Sequence, residues 1–268
     1  MPYFYQLMGK YIMQLKHCFP LLFIAFTSFS LLADTSASNE AIMTEKSQPS
    51  SPLFSDKAFI ETIKPYSATY STVWKKGISF TVKGTQTFSK QAEDTWLLSF
   101  KAKTIFASLK ESSLFKIYNN RIRPIRYDYH TSAFGKKRDA ILTFNWDKKQ
   151  VINDVKNTKW KMSIEQDTLD KLSVQLQIRQ DVRDNKDTLI YQIADGGRLK
   201  TWEFKRLASE TIKTKLGEIK AIKVIRVDNR GKKKKTVFWF AEKFDYLLVK
   251  LEHLDGKEVY KLELESIK

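Results

Sequence analysis

From Ile193 to Lys268 the chain is a series of short runs in which apolar and polar side chains alternate, and the same period of two recurs back to Tyr66. Alternation at that period is the mark of half-buried β-strands. Tyr66, Ala68, Tyr70, Thr72 and Trp74 oppose Ser67, Thr69, Ser71, Val73 and Lys75. Trp96, Leu98 and Phe100 alternate next. Ile122, Pro124, Arg126, Asp128 and His130 share one side of their run, with Arg123, Ile125, Tyr127 and Tyr129 on the other. Leu142, Phe144 and Trp146 oppose Ile141, Thr143 and Asn145, and Val249, Leu251 and His253 precede Tyr260, Leu262 and Leu264. Turn signals separate the runs at Lys76-Gly77, Tyr118-Asn119-Asn120, Asp147-Lys148-Lys149, Asp228-Asn229-Arg230-Gly231 and Asp255-Gly256-Lys257. Strands joined by such short turns pair antiparallel. About a dozen of them twist and coil rather than lie flat. The expected fold is mainly β: a single large, strongly curved antiparallel sheet or open β-barrel.

One segment departs from the period. Leu169, Leu172 and Leu176 fall at helical spacing, with Asp167 placed to cap the N-terminus and Asp170 in the first turn. The spacing predicts one substantial helix over 168–182, packing an apolar stripe on the sheet or plugging its opening.

The front of the chain reads as an address. Lys10 and Lys16 precede the apolar run Phe19–Phe26, and a small-residue exit leads to Ala33 and the first acid, Asp34. This is the pattern of a cleavable secretory signal over 1–33, too short in its strongly apolar part for a membrane span of about 20 residues. Met13 also serves as a start for a compact signal. Cys18 is the only cysteine and lies before the apolar core, so the chain is not expected to be a lipoprotein. The mature chain then has no thiol for a disulfide, a metal site or a nucleophile. Residues 34–64, rich in Ser and Thr and containing Pro49 and Pro52, read as a disordered linker. The span 65–268 suits one domain large enough to stand on its hydrophobic core. The expected location is periplasmic.

The chain has 47 Lys+Arg against 30 Asp+Glu, a net charge of +17 that becomes +15 once Lys10 and Lys16 are removed. Such a charge attracts anionic partners. For an exported protein these are lipid, lipopolysaccharide, a cell-wall component or a membrane surface rather than nucleic acid. The structural alternative is lysine on the outer faces and edges of strands, where it discourages aggregation.

No cofactor, metal or catalytic signature stands out. His130 and His253 are the histidines outside the signal, and neither has metal-ligand spacing. No G-x-S-x-G elbow marks a serine. The best ligand-binding candidate is Asp195, Gly196, Gly197 and Arg198 with Lys200. Two glycines permit a close backbone approach whose amides receive an anion, and the two cations add charge. Against this stands a plain hairpin turn in which Asp195 bonds its own loop backbone.

Several short motifs occur in order. They are Pro65-Tyr66 through Tyr70, Arg123-Pro124 through Tyr129, Phe144 through Asp147, Asp167 through Leu176, Ala194 through Lys200, and Trp239 through Leu251. Together they resemble the bacterial family called domain of unknown function 3108, across the whole of 65–268. The resemblance implies an exported, β-rich protein of Gram-negative bacteria and brings no assigned activity or site residue. The expected function is therefore a non-catalytic binding or envelope-maintenance protein, holding a lipophilic or anionic envelope component against a curved sheet. The alternatives are a scaffold or interaction module pairing through a sheet edge, and a hydrolase of envelope polymers built on a buried His–acid pair.

Overall fold

The structure is a computed structural model that describes residues 63–74, 80–155, 158–227 and 234–268. The expected signal, nearly all of the expected linker, the turn at Lys75–Ile78 and the tip expected at Asp228–Gly231 lie outside the described residues.

Among the described residues, fourteen strands form one antiparallel sheet. They are β1 (Tyr66–Trp74), β2 (Phe80–Ala92), β3 (Thr95–Lys103), β4 (Ala107–Tyr118), β5 (Arg121–Ala133), β6 (Lys136–Asn145), β7 (Gln150–Val155), β8 (Thr158–Ser163), β9 (Thr188–Asp195), β10 (Arg198–Thr214), β11 (Gly217–Arg226), β12 (Lys234–Ala241), β13 (Leu247–Asp255) and β14 (Glu258–Ile267). Their spatial order is β8-β7-β6-β5-β4-β3-β2-β1-β14-β13-β12-β11-β10-β9. Two meanders, β1–β8 and β9–β14, are thus joined where β1 pairs with β14, Ala68 opposite Ile267. The sheet curves without closing, as the alternation predicts, and its two edges are β8 and β9. These are neighbours in sequence at opposite ends of the sheet.

The segment between them carries the helix α1 (Ser173–Arg183). It ends within a residue of the expected span and begins later, because residues 168–172 are used otherwise. Leu169 forms a parallel bridge to Ile193 on β9. Asp170, not Asp167, then holds the leading amides: its Oδ1 accepts from Leu172 N and Ser173 N, each at 2.8 Å. Asp170 N donates back to Ser173 Oγ at 3.0 Å, a reciprocal cap. Leu169, Leu172 and Leu176 are all buried, but so are Gln177, Arg179, Gln180 and Asp181 on the remaining faces. The helix is enclosed by the curved sheet rather than laid against it.

Bulges interrupt the alternation, and the one in β5 alters the expected facing. A bulge between Leu114–Phe115 and Arg126–Pro124 leaves Ile125 without an opposite residue. The phase of β5 flips there, so Ile122 lies inward together with Tyr127 and Tyr129, not on the opposite face. A second bulge in β10 leaves Leu207 and Ala208 outside the register between Arg206 and Ser209.

Candidate functional site

The polar residues of α1 meet polar residues of the wall. Burying a charge is costly unless it is paired and hydrogen-bonded. Asp181, 4 % exposed at its side chain, accepts from Tyr191 Oη at 2.8 Å and Gln177 Nε2 at 3.2 Å, and pairs with Lys186 at 2.6 Å and Arg121 at 3.2 Å. Arg179 donates to the carbonyl and carboxylate of Asp245 in the β12–β13 turn, and Arg183 reaches the same carboxylate at 2.9 Å. Gln175 accepts from Gln86, which accepts from Tyr66. An apolar slot of about 30 Å³ remains between α1 and the wall at Leu98, Leu176, Ile178, Phe240 and Leu247. That is room for no more than a water molecule or two. The concave face, the expected seat of a lipophilic ligand, is occupied by the helix.

Glu111 is fully buried on β4 and receives a hydrogen bond from Tyr127 Oη. Burial pushes its carboxyl up to about 8, against the opposing pull of the Lys171 ammonium and the Tyr127 hydrogen bond. Asp170 lies nearby, accepting from Ser113 Oγ at 2.6 Å, and burial raises its carboxyl too. Sequence reasoning passed over Glu111. The visible signal was its place in the inward phase Leu109-x-Glu111-x-Ser113-x-Phe115.

The predicted Asp195–Lys200 site is a hairpin turn. Gly196 and Gly197, at φ +60° and +76°, supply the two left-handed positions of a type I′ connection between β9 and β10. The Asp195 side chain does not turn back on its loop. It is buried and bridges two lysines, Lys200 at 2.6 Å and Lys171 at 3.4 Å. Lys171 also lies 5.1 Å from the Tyr129 ring. A Cβ on Gly197 would stand 2.1 Å from Trp160 Nε1 of β8, so the indole covers the turn. Arg198 points to solvent. Asp195, Gly197 and Lys200 are thereby brought together as a clasp between the two sheet edges, with Arg198 outside it.

A larger opening lies beside the β9 edge. It is a cleft of about 380 Å³ between Ile190–Gln192, Glu165–Asp167, Leu169, Gln177 and Arg121. Leu169 N donates to Gln192 O and Leu169 O accepts from Ala194 N, each at 2.8 Å. Even-numbered residues of β9 therefore turn their backbone groups away from β10. Ile190 N–H and C=O and Gln192 N–H have no partner among the described residues. The Ile190 side chain is 53 % exposed. The two edges differ in kind. Strand β8 carries Lys159 and Lys161, whereas β9, TLIYQIAD, carries neither lysine nor proline. Lysine and proline are the usual guards of an exposed edge. That contrast was readable in the sequence, but not which strands were edges.

His130 is half-buried and contacts Asp139 at 2.7 Å. His253 is buried because it shares the inward face of β13 with Val249 and Leu251; it contacts Thr236 Oγ1 at 2.8 Å. No group of His, Cys, Asp and Glu among the described residues is placed to hold a metal ion, and no described helix is long and apolar enough to cross a membrane.

A single open antiparallel sheet wrapped around one buried helix defines a β-barrel-like class of protein. The chain belongs to the family described as Protein of unknown function (DUF3108), whose model matches residues 65–264. It is similar in fold to a crystal structure of a β-barrel-like protein of domain of unknown function DUF1849 from Brucella abortus. The TM-score is 0.52 at 7% identity, over 76% of this chain and 97% of that one. No curated protein matches the chain significantly.

Proposed function

We propose that the protein is exported to the periplasm and acts there as a non-catalytic interaction module, receiving an extended segment of another polypeptide along β9. One observation carries the reading: the β9 edge is open at Ile190 and Gln192, unguarded, and bordered by a cleft with room for side chains. Adding a strand to such an edge supplies backbone hydrogen bonds for affinity and pockets for alternate side chains. The Leu169 bridge is a one-residue example of the pairing on the same edge. A lipophilic or anionic envelope component held on the concave face would require α1 to leave it, with the loss of its contacts to Arg121, Tyr191 and Asp245. Envelope hydrolysis has little support from His130 and His253, which stand on different faces with Asp139 and Thr236 as partners.

The test is residue-resolved hydrogen exchange on the purified protein with a ten-residue alternating Val/Thr peptide. The amides of Ile190 and Gln192 exchange fast alone and slow down with peptide, while those of β8 do not change. Unchanged exchange at Ile190 and Gln192 overturns the reading.

A further inference from the structure

The cleft beside β9 carries charge that the other described residues do not neutralise. Its one cation, Arg121, is committed to Asp181 at 3.2 Å. Glu165 and Asp167, on the opposite wall, are exposed and have no cation partner among the described residues. The turn presenting them is fixed, with Thr168 N donating to Glu165 O at 3.2 Å and Glu165 N to Thr168 Oγ1 at 3.0 Å. In a chain of net charge +17, this wall is a local reversal of sign.

We propose that the segment received at β9 is basic, an extended peptide whose lysine or arginine side chain lies against Glu165 and Asp167 while its backbone pairs with Ile190 and Gln192. This rests on the proposed function above and names the chemistry of its partner. Charge complementarity selects among occupants. The chain's own residues 34–62 carry Asp34, Glu40, Glu45, Asp56 and Glu61 against Lys46 and Lys57, the wrong sign for this wall. A second copy joined edge to edge would bring another Glu165 and Asp167 to the same seam. A basic segment of a different protein meets neither objection.

The experiment measures fluorescence anisotropy of three labelled ten-residue peptides with the purified protein: alternating Val/Lys, Val/Thr and Val/Glu. The Val/Lys peptide is expected to bind at least about tenfold more tightly than Val/Thr, with Val/Glu weakest and the spread shrinking as salt is added. Net charge alone predicts the reverse order, since a protein this basic attracts the Val/Glu peptide. The double variant Glu165→Gln, Asp167→Asn alters two exposed side chains. It should bring Val/Lys binding to the Val/Thr level while Val/Thr binding is kept. If Val/Lys and Val/Glu bind equally and both slow exchange at Ile190 and Gln192, the basic preference is wrong and the edge reading stands. If no peptide slows those amides, both fail. Sedimentation showing a dimer that Ile190→Lys dissolves would make the occupant a second copy and overturn the proposal.

Discussion

Arg179 holds Asp245 at two points, Nε to its carbonyl at 2.8 Å and Nη2 to its carboxylate at 3.0 Å, across 66 residues of sequence. Asp245 and Tyr246 both sit at positive φ, +55° and +57°, without being glycine. Such backbone persists only where surrounding contacts over-determine it. The interior helix thus fixes the shape of a turn on the wall, and the turn fixes the helix.

Arg179→Met should therefore cost about 2–3 kcal/mol in urea denaturation, since it removes two hydrogen bonds made by a buried guanidinium, one of them to the backbone of a strained turn. Arg183→Met, which removes a half-exposed arm from the same carboxylate, should cost under about 1 kcal/mol. Equal effects would mean that the Arg179 contacts do not set the turn.

The cap makes a similar contrast. Asp170→Ala removes the acceptor of two amides and of the Ser113 hydroxyl and should cost about 2–4 kcal/mol. Asp167→Ala, at the position favoured by sequence spacing, should change stability by less than about 0.5 kcal/mol. Chemical denaturation of the two variants decides which aspartate starts the helix.

At the clasp, Gly197→Ala meets both a positive φ and the Trp160 ring, whereas Gly196→Ala meets only the φ, with open space around its Cβ. Gly196→Ala is expected to cost about 1 kcal/mol and Gly197→Ala at least about 1 kcal/mol more. Adding Trp160→Leu to Gly197→Ala should recover part of that difference. A strictly additive double variant would show that the indole does not close the seam.

The buried Glu111 carboxyl gives the fold a pH dependence of unusual sign for an acid. Its folded value, about 8, stands above the ordinary value of 4.5 in the unfolded chain, so its contribution is fully present below 4.5. Between 4.5 and 8 the unfolded chain ionises while the folded one resists, and stability falls as pH rises, by up to about 1.4 kcal/mol per pH unit. Above 8 the loss levels off. Glu111→Gln should flatten that slope between pH 5 and 8 in a series of urea titrations. A wild-type profile rising with pH across this window, unchanged by the substitution, would refute the assignment.

The strands were legible because each is half buried and writes that in a period of two; the type I′ turns at Asn119-Asn120 and Gly196-Gly197 were legible because few residues accept positive φ. The facing of Ile122 was not, because the bulge at Ile125 is decided by pairing with β4 rather than by β5 itself. The burial of Gln177, Arg179 and Asp181 was not legible, because the partners of this face, Arg121, Tyr191 and Asp245, come from strands and a turn outside the helix. The open edge was hidden for the same reason. Nothing local in TLIYQIAD says that one of its sides meets only Leu169.

The pairing of β1 with β14 sets a timetable for biogenesis. Ala68 cannot find Ile267 until every strand between them has been made, so β1 waits with one side bare. The middle of the chain, with β8, α1 and β9, is complete long before the sheet is continuous. Long-range pairing of this kind is slow and exposed to aggregation. The vulnerable period of this protein is the interval before β14 arrives, and a ribosome that stops short of β14 releases a molecule with four open edges in place of two.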